Sequence, residues 1–356
     1  MTKQHRRWLG WAIGAVILAL VLLHVSHSPE WRNFEWRRLW HLLVHVKLEF
    51  LIPAALISYV TYIARAIRWK FFVDPIKKCS LWVLFVAQIF GFSSIYLVGR
   101  AGEVVRPAYI ARAENLSFTS QVAVWVLERL YDSFALVILF ALGLYIEALH
   151  PETAHSATIL HAIHSAAVGV LILCAVIVAL LVLYRIYSEK FIIWIGRLLA
   201  GAPKTIRNHA LNFLSSFSDG LNVIQNRRDF SVSILCTVVL WALNVTAIWL
   251  VFRSLGGQLQ GLSWWVAALT LVFSSLGLII QLPGVGGGYQ VVILLVLKNL
   301  FQVSAEGAAS AAILTWLTVM APCIILGLAL LIYKGLSLKK LKAITEEEYE
   351  TTAPRA

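Results

Sequence analysis

Charged residues are scarce in this chain. Asp, Glu, Lys and Arg make up 13% of its 356 residues, where an average soluble domain carries about a quarter. With 60% apolar residues and a mean hydropathy of +0.80, that scarcity excludes a soluble globular protein and predicts a polytopic, all-α membrane protein. No polar stretch is long enough for a separate soluble domain. Residues 1–356 are therefore expected to form one integral membrane domain, with 334–356 as a polar tail. Cysteine is scarce too. Cys79, Cys174, Cys236 and Cys323 form no CxxC pair and three of them fall in apolar runs, which reads as small core residues rather than disulfides or metal ligands. Nucleotide-driven pumping has no GxxxxGKS or GxxxxGKT to support it, and no GxSxG or HExxH is present. No catalytic residue, cofactor or enzymatic activity is expected.

Two histidine groupings, His41 with His45 and His150, His155, His161 and His164, lack cysteine or carboxylate partners in a metal-binding pattern, so no metal is expected. A net charge of +12 could suggest nucleic acid. Here, however, the basic residues lie in short loops between apolar runs, which is the signature of membrane orientation; no nucleic-acid partner is expected. The amino-terminal "MTKQHRRWLGWAIGAVILALVLLHV" mimics a signal peptide, but no small-x-small cleavage site follows, so a retained first helix is expected. Gly10 and Gly14 permit close helix packing, within the chain or between copies of a homo-oligomer.

A spanning helix needs roughly 20 mostly apolar residues. Runs near that length are Trp8–Val25, Leu48–Trp69, Leu81–Val98, Val122–Ile146, Ile163–Tyr184, Ser231–Phe252, Ser263–Leu282 and Ala308–Tyr333. Loop charge orients them. Lys3, Arg6 and Arg7, then Arg65, Arg68, Lys70, Lys77 and Lys78, then the seven basic residues between Arg185 and Asp229, and the basic carboxyl tail should all be cytoplasmic. The Lys- and Arg-free Glu147–Ser156 should lie outside. If Leu81–Val98 crossed fully, that order would invert. It is restored if about 81–112 enters from the cytoplasm, turns at Gly99–Gly102 and leaves on the same side, and if about 263–301 does the same from outside.

The expected architecture is thus six full spans plus two oppositely oriented re-entrant helical hairpins. The halves 8–146 and 163–333 form an inverted repeat, as in many transporters. Both termini would face the cytoplasm, in a cell (cytoplasmic or inner) membrane. Two amphipathic stripes are expected at the membrane surface: Trp36, Leu39, Trp40, Leu43 and Val46, and Ala210, Leu214, Phe217, Leu221 and Ile224.

Three stretches carry chemistry. "VGRAGEVVRPAYIARAENL" places Arg100 and Glu103 at the turn of the first hairpin, with Arg106 beyond it and Arg112 near the surface. Arginine at the bilayer centre costs about 2.5–3.5 kcal/mol, so charges at that depth should face protein or water. In "VWVLERLYDSF", Glu128, Arg129 and Asp132 share one helical face and should border the same pocket. In "QLPGVGGGYQ", Pro283, Gly284, Gly286, Gly287 and Gly288 break the helix before Gln290. Unwound backbone at depth is tolerated where it lines a cavity, and its N–H groups suit an anion. On residues alone, ordinary loops and an interfacial ion pair remain open as alternatives.

Together these stretches resemble the lysylphosphatidylglycerol synthase transmembrane-region family, also called flippase-like or UPF0104. The family includes the membrane flippase part of the multiple peptide resistance factor. The resemblance rests on Arg100-x-Gly102-Glu103-x-x-Arg106, on Glu128-Arg129-x-x-Asp132 and on "PGVGGGYQ", where Gln290 stands at a position that is often acidic. It implies a membrane protein that moves a polar-headgroup lipid between leaflets, with the soluble aminoacyl-transfer domain expected to be absent.

A lipid flippase would use Arg100 and Arg106 on a phosphate, with Glu103, Glu128 and Asp132 orienting them, so that its partner is a membrane phospholipid. A membrane-embedded enzyme acting on a lipid-linked, polyprenyl-phosphate type substrate is the alternative; a soluble-anion transporter is a third. Cysteines introduced at positions 115 and 155 should label from opposite sides of the membrane, and labelling from the same side would remove the hairpin arrangement.

Overall fold

The computed structural model describes residues 34–98, 100–148, 187–201, 203–220, 227–278, 281–282 and 286–335, with scattered positions between 168 and 183. The expected spans Trp8–Val25 and, for the most part, Ile163–Tyr184 lie outside the described residues, as do Cys174, the second histidine group and all but the start of the tail.

Helix α1 is Trp36–Val44, followed by α2, Leu48–Val73. Helix α3, Leu81–Val98, runs through a 3-10 turn at Arg100–Val104 into α4, Val105–Glu114. Next come α5, Phe118–Ala148, α6, Ser188–Leu198, α7, Lys204–Gly220, and α8, Arg227–Leu255. Helix α9 is Trp264–Gly277. Two-residue strands, β1 at Gln281–Leu282 and β2 at Gly286–Gly287, connect it to α10, Gly288–Asn299. Helices α11, Ala305–Val319, and α12, Ala321–Tyr333, complete the order.

Local chemistry sets these limits. Ser263 and Ser304 accept hydrogen bonds from the backbone N–H of Val266 and Gly307, capping α9 and α11. Asn115 closes α4 in the left-handed conformation, with φ 52°. Pro322, in the first turn of α12, has no N–H to extend the α11 ladder, and the helix breaks at Met320.

Four helical stretches are long and apolar enough to cross a membrane: Leu48–Val73, Phe118–Ile146, Arg228–Leu255 and Ala305–Tyr333. They coincide with four of the six expected full spans. Their side chains are arranged for an apolar solvent. On α2, Leu48, Ile52, Leu56, Val60 and Ile63 are exposed along one face, while Ala54, Ser58, Tyr62, Ala66 and Trp69 are buried on the other. Lipid removes the usual hydrophobic drive between helices, so close packing of small residues must replace it. The buried face of α11, with Ala308, Ser310, Ala311 and Ala312, provides such a surface within the main core.

The shorter apolar helices fold back as pairs. Helix α3 packs against the 3-10 turn and α4, and α9 packs against α10. The two pairs cover Leu81–Glu114 and Trp264–Asn299, close in extent to 81–112 and 263–301. Packing across the molecule is reciprocal: α2 lies along α8, α5 contacts α9, and α12 contacts α3.

Neither amphipathic stripe lies wholly on one described helix. The stripe expected from Trp36 to Val46 is split, because the helix ends at Val44. Leu39 and Leu43 turn inward to Ala305 and Ala309 of α11, leaving Trp36 and Trp40 about 70% and 69% exposed. The second stripe falls partly on α7, which packs on α5 and α6; Leu221 and Ile224 lie outside the described residues. Cys79, Cys236 and Cys323 are free thiols. Burial pushes the Cys79 thiol, in the loop before α3, up to about 11, so it stays neutral near pH 7.

Gly102 sits so close to the backbone of Ser94 and Ile95 that an added Cβ would collide with it. Gly102→Ala should lower stability in detergent by about 1–3 kcal/mol through overpacking. Gly201→Ala, with open space around the new methyl, should stay within about 0.5 kcal/mol of wild type. Equal melting curves for the two variants would refute the tight hairpin turn.

Candidate functional site

The charged stretches converge on α5. Glu128 and Asp132, one helical turn apart, are both buried. Glu128 Oε1 accepts from Arg68 Nη2 at 2.7 Å, and its Oε2 lies 2.5 Å from Arg106 Nη2. Asp132 Oδ1 accepts from Arg68 Nη1 at 2.7 Å and from Trp241 Nε1 at 3.2 Å. Arg68 Nη1 also donates to Thr237 Oγ1, and Arg106 Nη1 donates to Gln88 Oε1 at 2.7 Å. Arg129 Nη2 stands 3.4 Å from both carboxylates, and Arg65 Nη1 stands 3.9–4.0 Å from both. Aromatic faces receive the cations: Arg106 lies over Trp69 at 4.4 Å and Arg65 over Phe92 at 4.8 Å.

Four guanidiniums thus surround two carboxylates. Enclosed charges of this kind are tolerated only when paired and hydrogen-bonded. The face shared by Glu128 and Asp132 is the one expected from their spacing. Arg65 and Arg68 are the correction. Counted in the sequence as cytoplasmic loop charges, they lie inside α2, and Arg68 is fully buried. Lys77 and Lys78 still leave the following loop basic, and Lys70 sits in the last turn of α2. The signal was present: two arginines three residues apart inside an apolar run are intramembrane charge by default. Gln88, Trp69, Thr237 and Trp241 had no comparable signal, since polar and aromatic residues in spans are common.

Beside the cluster lies a cavity of about 240 Å³. Its charged wall is Arg65, Glu103, Arg129 and Asp132; its apolar wall includes Leu136, Leu271, Leu278 and Val319. Both hairpins reach it, the first through Phe92, Tyr96 and Glu103 and the second through Ser275, Leu278 and Tyr289. The α11–α12 break contributes Met320. Arg106 borders a small adjoining recess with Glu103 and Arg129. Arg100 begins the 3-10 turn, and its side chain lies outside the described residues.

At the second turn, Gln281 pairs with Gly287 and Leu282 with Gly286, and Gly287 takes φ 88° before α10 begins at Gly288. Gly277 approaches the Gly288 backbone too closely for a side chain. Tyr289 reaches the cavity wall, whereas its neighbours Gly288 and Gln290 do not line it. Pro283 and Gly284 lie outside the described residues. Among the described residues no histidine, cysteine and carboxylate cluster suits a metal; His41 and His45 stack on each other at 4.0 Å.

The model of the lysylphosphatidylglycerol synthase TM region matches residues 7–327. This chain belongs to that family. It is also 23% identical over 286 residues to UPF0104 membrane protein PH1989 of Pyrococcus horikoshii, covering 76% of this chain and 80% of that protein. Family membership places the chain among membrane proteins. The buried cluster and its cavity lie wholly within the matched region.

Removing one partner from such a cluster strands a buried charge. Arg68→Leu should cost about 3–5 kcal/mol of stability, read as an early melting transition in detergent. Combining it with Glu128→Gln should recover part of the loss, because the second change removes one of the carboxylates that Arg68 neutralised. A double variant less stable than Arg68→Leu by the full cost of a second lesion would contradict this pairing.

Proposed function

We propose that this protein is a lipid flippase, moving a phosphate-containing polar-headgroup lipid between leaflets without altering it. The observation that carries the reading is the cavity between the two hairpins, charged on one wall and apolar on the other. A lipid headgroup entering it meets guanidiniums suited to phosphate, while carbon next to the headgroup meets Leu136, Leu271 and Leu278. Family membership favours a lipid-related role.

In this reading α3–α4 and α9–α10 are re-entrant, entering from opposite faces and meeting at the cavity. The chain has six full spans in an inverted repeat, and both termini face the cytoplasm of a cell membrane. The reciprocal packing of α2 with α8, α5 with α9 and α12 with α3 is what two similar halves related by a pseudo-two-fold axis produce. The break at Met320 resembles the interrupted helices that build transporter sites. Alternating access would come from rocking of the halves.

The runner-up is an enzyme acting on a lipid-linked phosphate substrate. Against it, Glu128 and Asp132 are held by guanidiniums on both oxygens, an arrangement that fixes charge rather than offering a general acid or base.

Reconstitution in vesicles separates the readings. Wild-type protein should accelerate leaflet exchange of a fluorescent phosphatidylglycerol above the protein-free rate, with the lipid recovered chemically unchanged. Ser275→Trp, which fills the cavity without touching a charge, should return exchange to the protein-free rate. Exchange by this variant at the wild-type rate would refute passage through the cavity, and a converted lipid would favour the enzyme.

A further inference from the structure

Helix α6, Ser188–Leu198, is too short to cross a membrane, because a span needs roughly 20 apolar residues. It nevertheless turns a row of large apolar side chains outward. Tyr187, Phe191, Trp194 and Leu198 recur at the four- and three-residue steps of one helical face. All four are exposed, Trp194 by 56% and Leu198 by 67%. The Phe191 and Trp194 rings lie 5.8 Å apart, and Lys190 Nζ stands 5.6 Å from the centre of the Tyr187 ring.

The other side of the helix meets protein. Ile192 and Ile195 are half-buried, and a Cβ added at Gly196 would lie 3.7 Å from Leu211 of α7. Helix α7 packs in turn on α5, the helix of Glu128 and Asp132. The outward row is thus held in place by the core without being covered by it.

Two further observations name the occupant of that face. The first is continuity. Val168, Ile172, Val176, Leu180 and Leu183, described positions just before α6, are exposed as well, again at steps of four and three. They belong to the apolar run Ile163–Tyr184 of a membrane protein, and apolar side chains exposed along such a run face lipid. Backbone hydrogen bonds from Tyr187 N–H to the Leu183 carbonyl and from Phe191 N–H to the Tyr187 carbonyl carry the row into α6.

The second is charge. Lys190 and Arg197, seven residues apart, line one edge of the row, whereas Glu189 lies on the opposite side of the helix. Across 185–229, seven Lys and Arg stand against three Asp and Glu. Aromatic residues flanked by bases suit the boundary layer of a bilayer, where the rings sit at headgroup level and the basic side chains reach the phosphates.

We propose that α6 is an interfacial anchor that docks on an anionic bilayer surface. Tyr187, Phe191, Trp194 and Leu198 enter the boundary between headgroups and acyl chains, and Lys190 and Arg197 contact anionic headgroups at its edge. No residue of α6 lines the central cavity, so the inference stands apart from the flippase reading. Through α7, the anchor sets the level of α5 relative to the membrane surface.

Photo-crosslinking of the full-length protein tests this, in vesicles holding equal amounts of phosphatidylcholine and phosphatidylglycerol and again in native membranes. Trp194→p-benzoylphenylalanine should yield an α6 peptide heavier by one phospholipid, and Leu198→p-benzoylphenylalanine gives a second probe of the same face. Ile192→p-benzoylphenylalanine should instead crosslink to α7 of the same chain. In the vesicles, the probe at position 194 should capture phosphatidylglycerol about fivefold more often than phosphatidylcholine. Adding Lys190→Glu and Arg197→Glu, both at exposed positions, should abolish that preference.

Capture of protein in place of lipid at positions 194 and 198, whether a second copy of this chain or another partner, would overturn the anchor. So would the absence of a lipid adduct at both, or a lipid adduct at position 192 as strong as theirs. A preference for phosphatidylglycerol that survives the two charge reversals would overturn the role of Lys190 and Arg197.

Discussion

Everything near the centre of this molecule depends on keeping two buried carboxylates ionised. Glu128 and Asp132 sit on one face of α5 and cannot be buried alone, because an uncompensated charge in a low-dielectric interior costs several kcal/mol. Arg68 from α2 and Arg106 from α4 supply the compensation, at 2.5–2.7 Å. Those contacts fix the spacing of three helices at once. Thr237 and Trp241 then tie α8 to the same atoms. The cavity is a consequence: once charge is held there, the neighbouring helices cannot close over it with lipid-like side chains on every side.

The membrane imposes the second constraint. Helix α2 keeps Leu48, Ile52, Leu56, Val60 and Ile63 outward and turns Ala54, Ser58, Tyr62, Ala66 and Trp69 inward, the reverse of a helix in a soluble bundle. Close approach is what holds such helices together. At Gly91 an added Cβ would press on Arg106, and at Gly327 it would collide with Ser93, which itself donates to the Cys323 carbonyl. The first hairpin is thus seated against α12 by backbone-level contact.

Much of this was legible in the residues. Apolar run length identified the four long helices, and loop charge together with glycine placement marked the two segments that fold back. The Glu128–Asp132 face followed from helical spacing. Arg65 and Arg68 did not, because the positive-inside rule and the intramembrane-charge rule compete for any arginine near the end of a span. Residue type alone does not say which applies. Depth decides, and depth comes from partners about sixty residues away. The aromatic stripe of α1 was legible only in part: hydrophobic periodicity finds an apolar surface but not which part of it meets protein. Tryptophan, content at a headgroup boundary, stays outward while leucine packs.

The distribution of charge also divides the molecule unevenly. Among the described residues, the ion pairs of the cluster join α2, α4 and α5, all before residue 149. The later helices contribute neutral groups to it: Thr237 accepts from Arg68 and Trp241 donates to Asp132. A hydrogen bond to a charged partner is worth about 1.5–3 kcal/mol, whereas stripping a counter-charge from a buried ion costs about 3–5. The seam between the amino-terminal and carboxyl-terminal elements is therefore the weakest place at which this polar centre can part. Parting there would leave Glu128 and Asp132 with their arginines, so the charges that line the cavity would not have to be dismantled first.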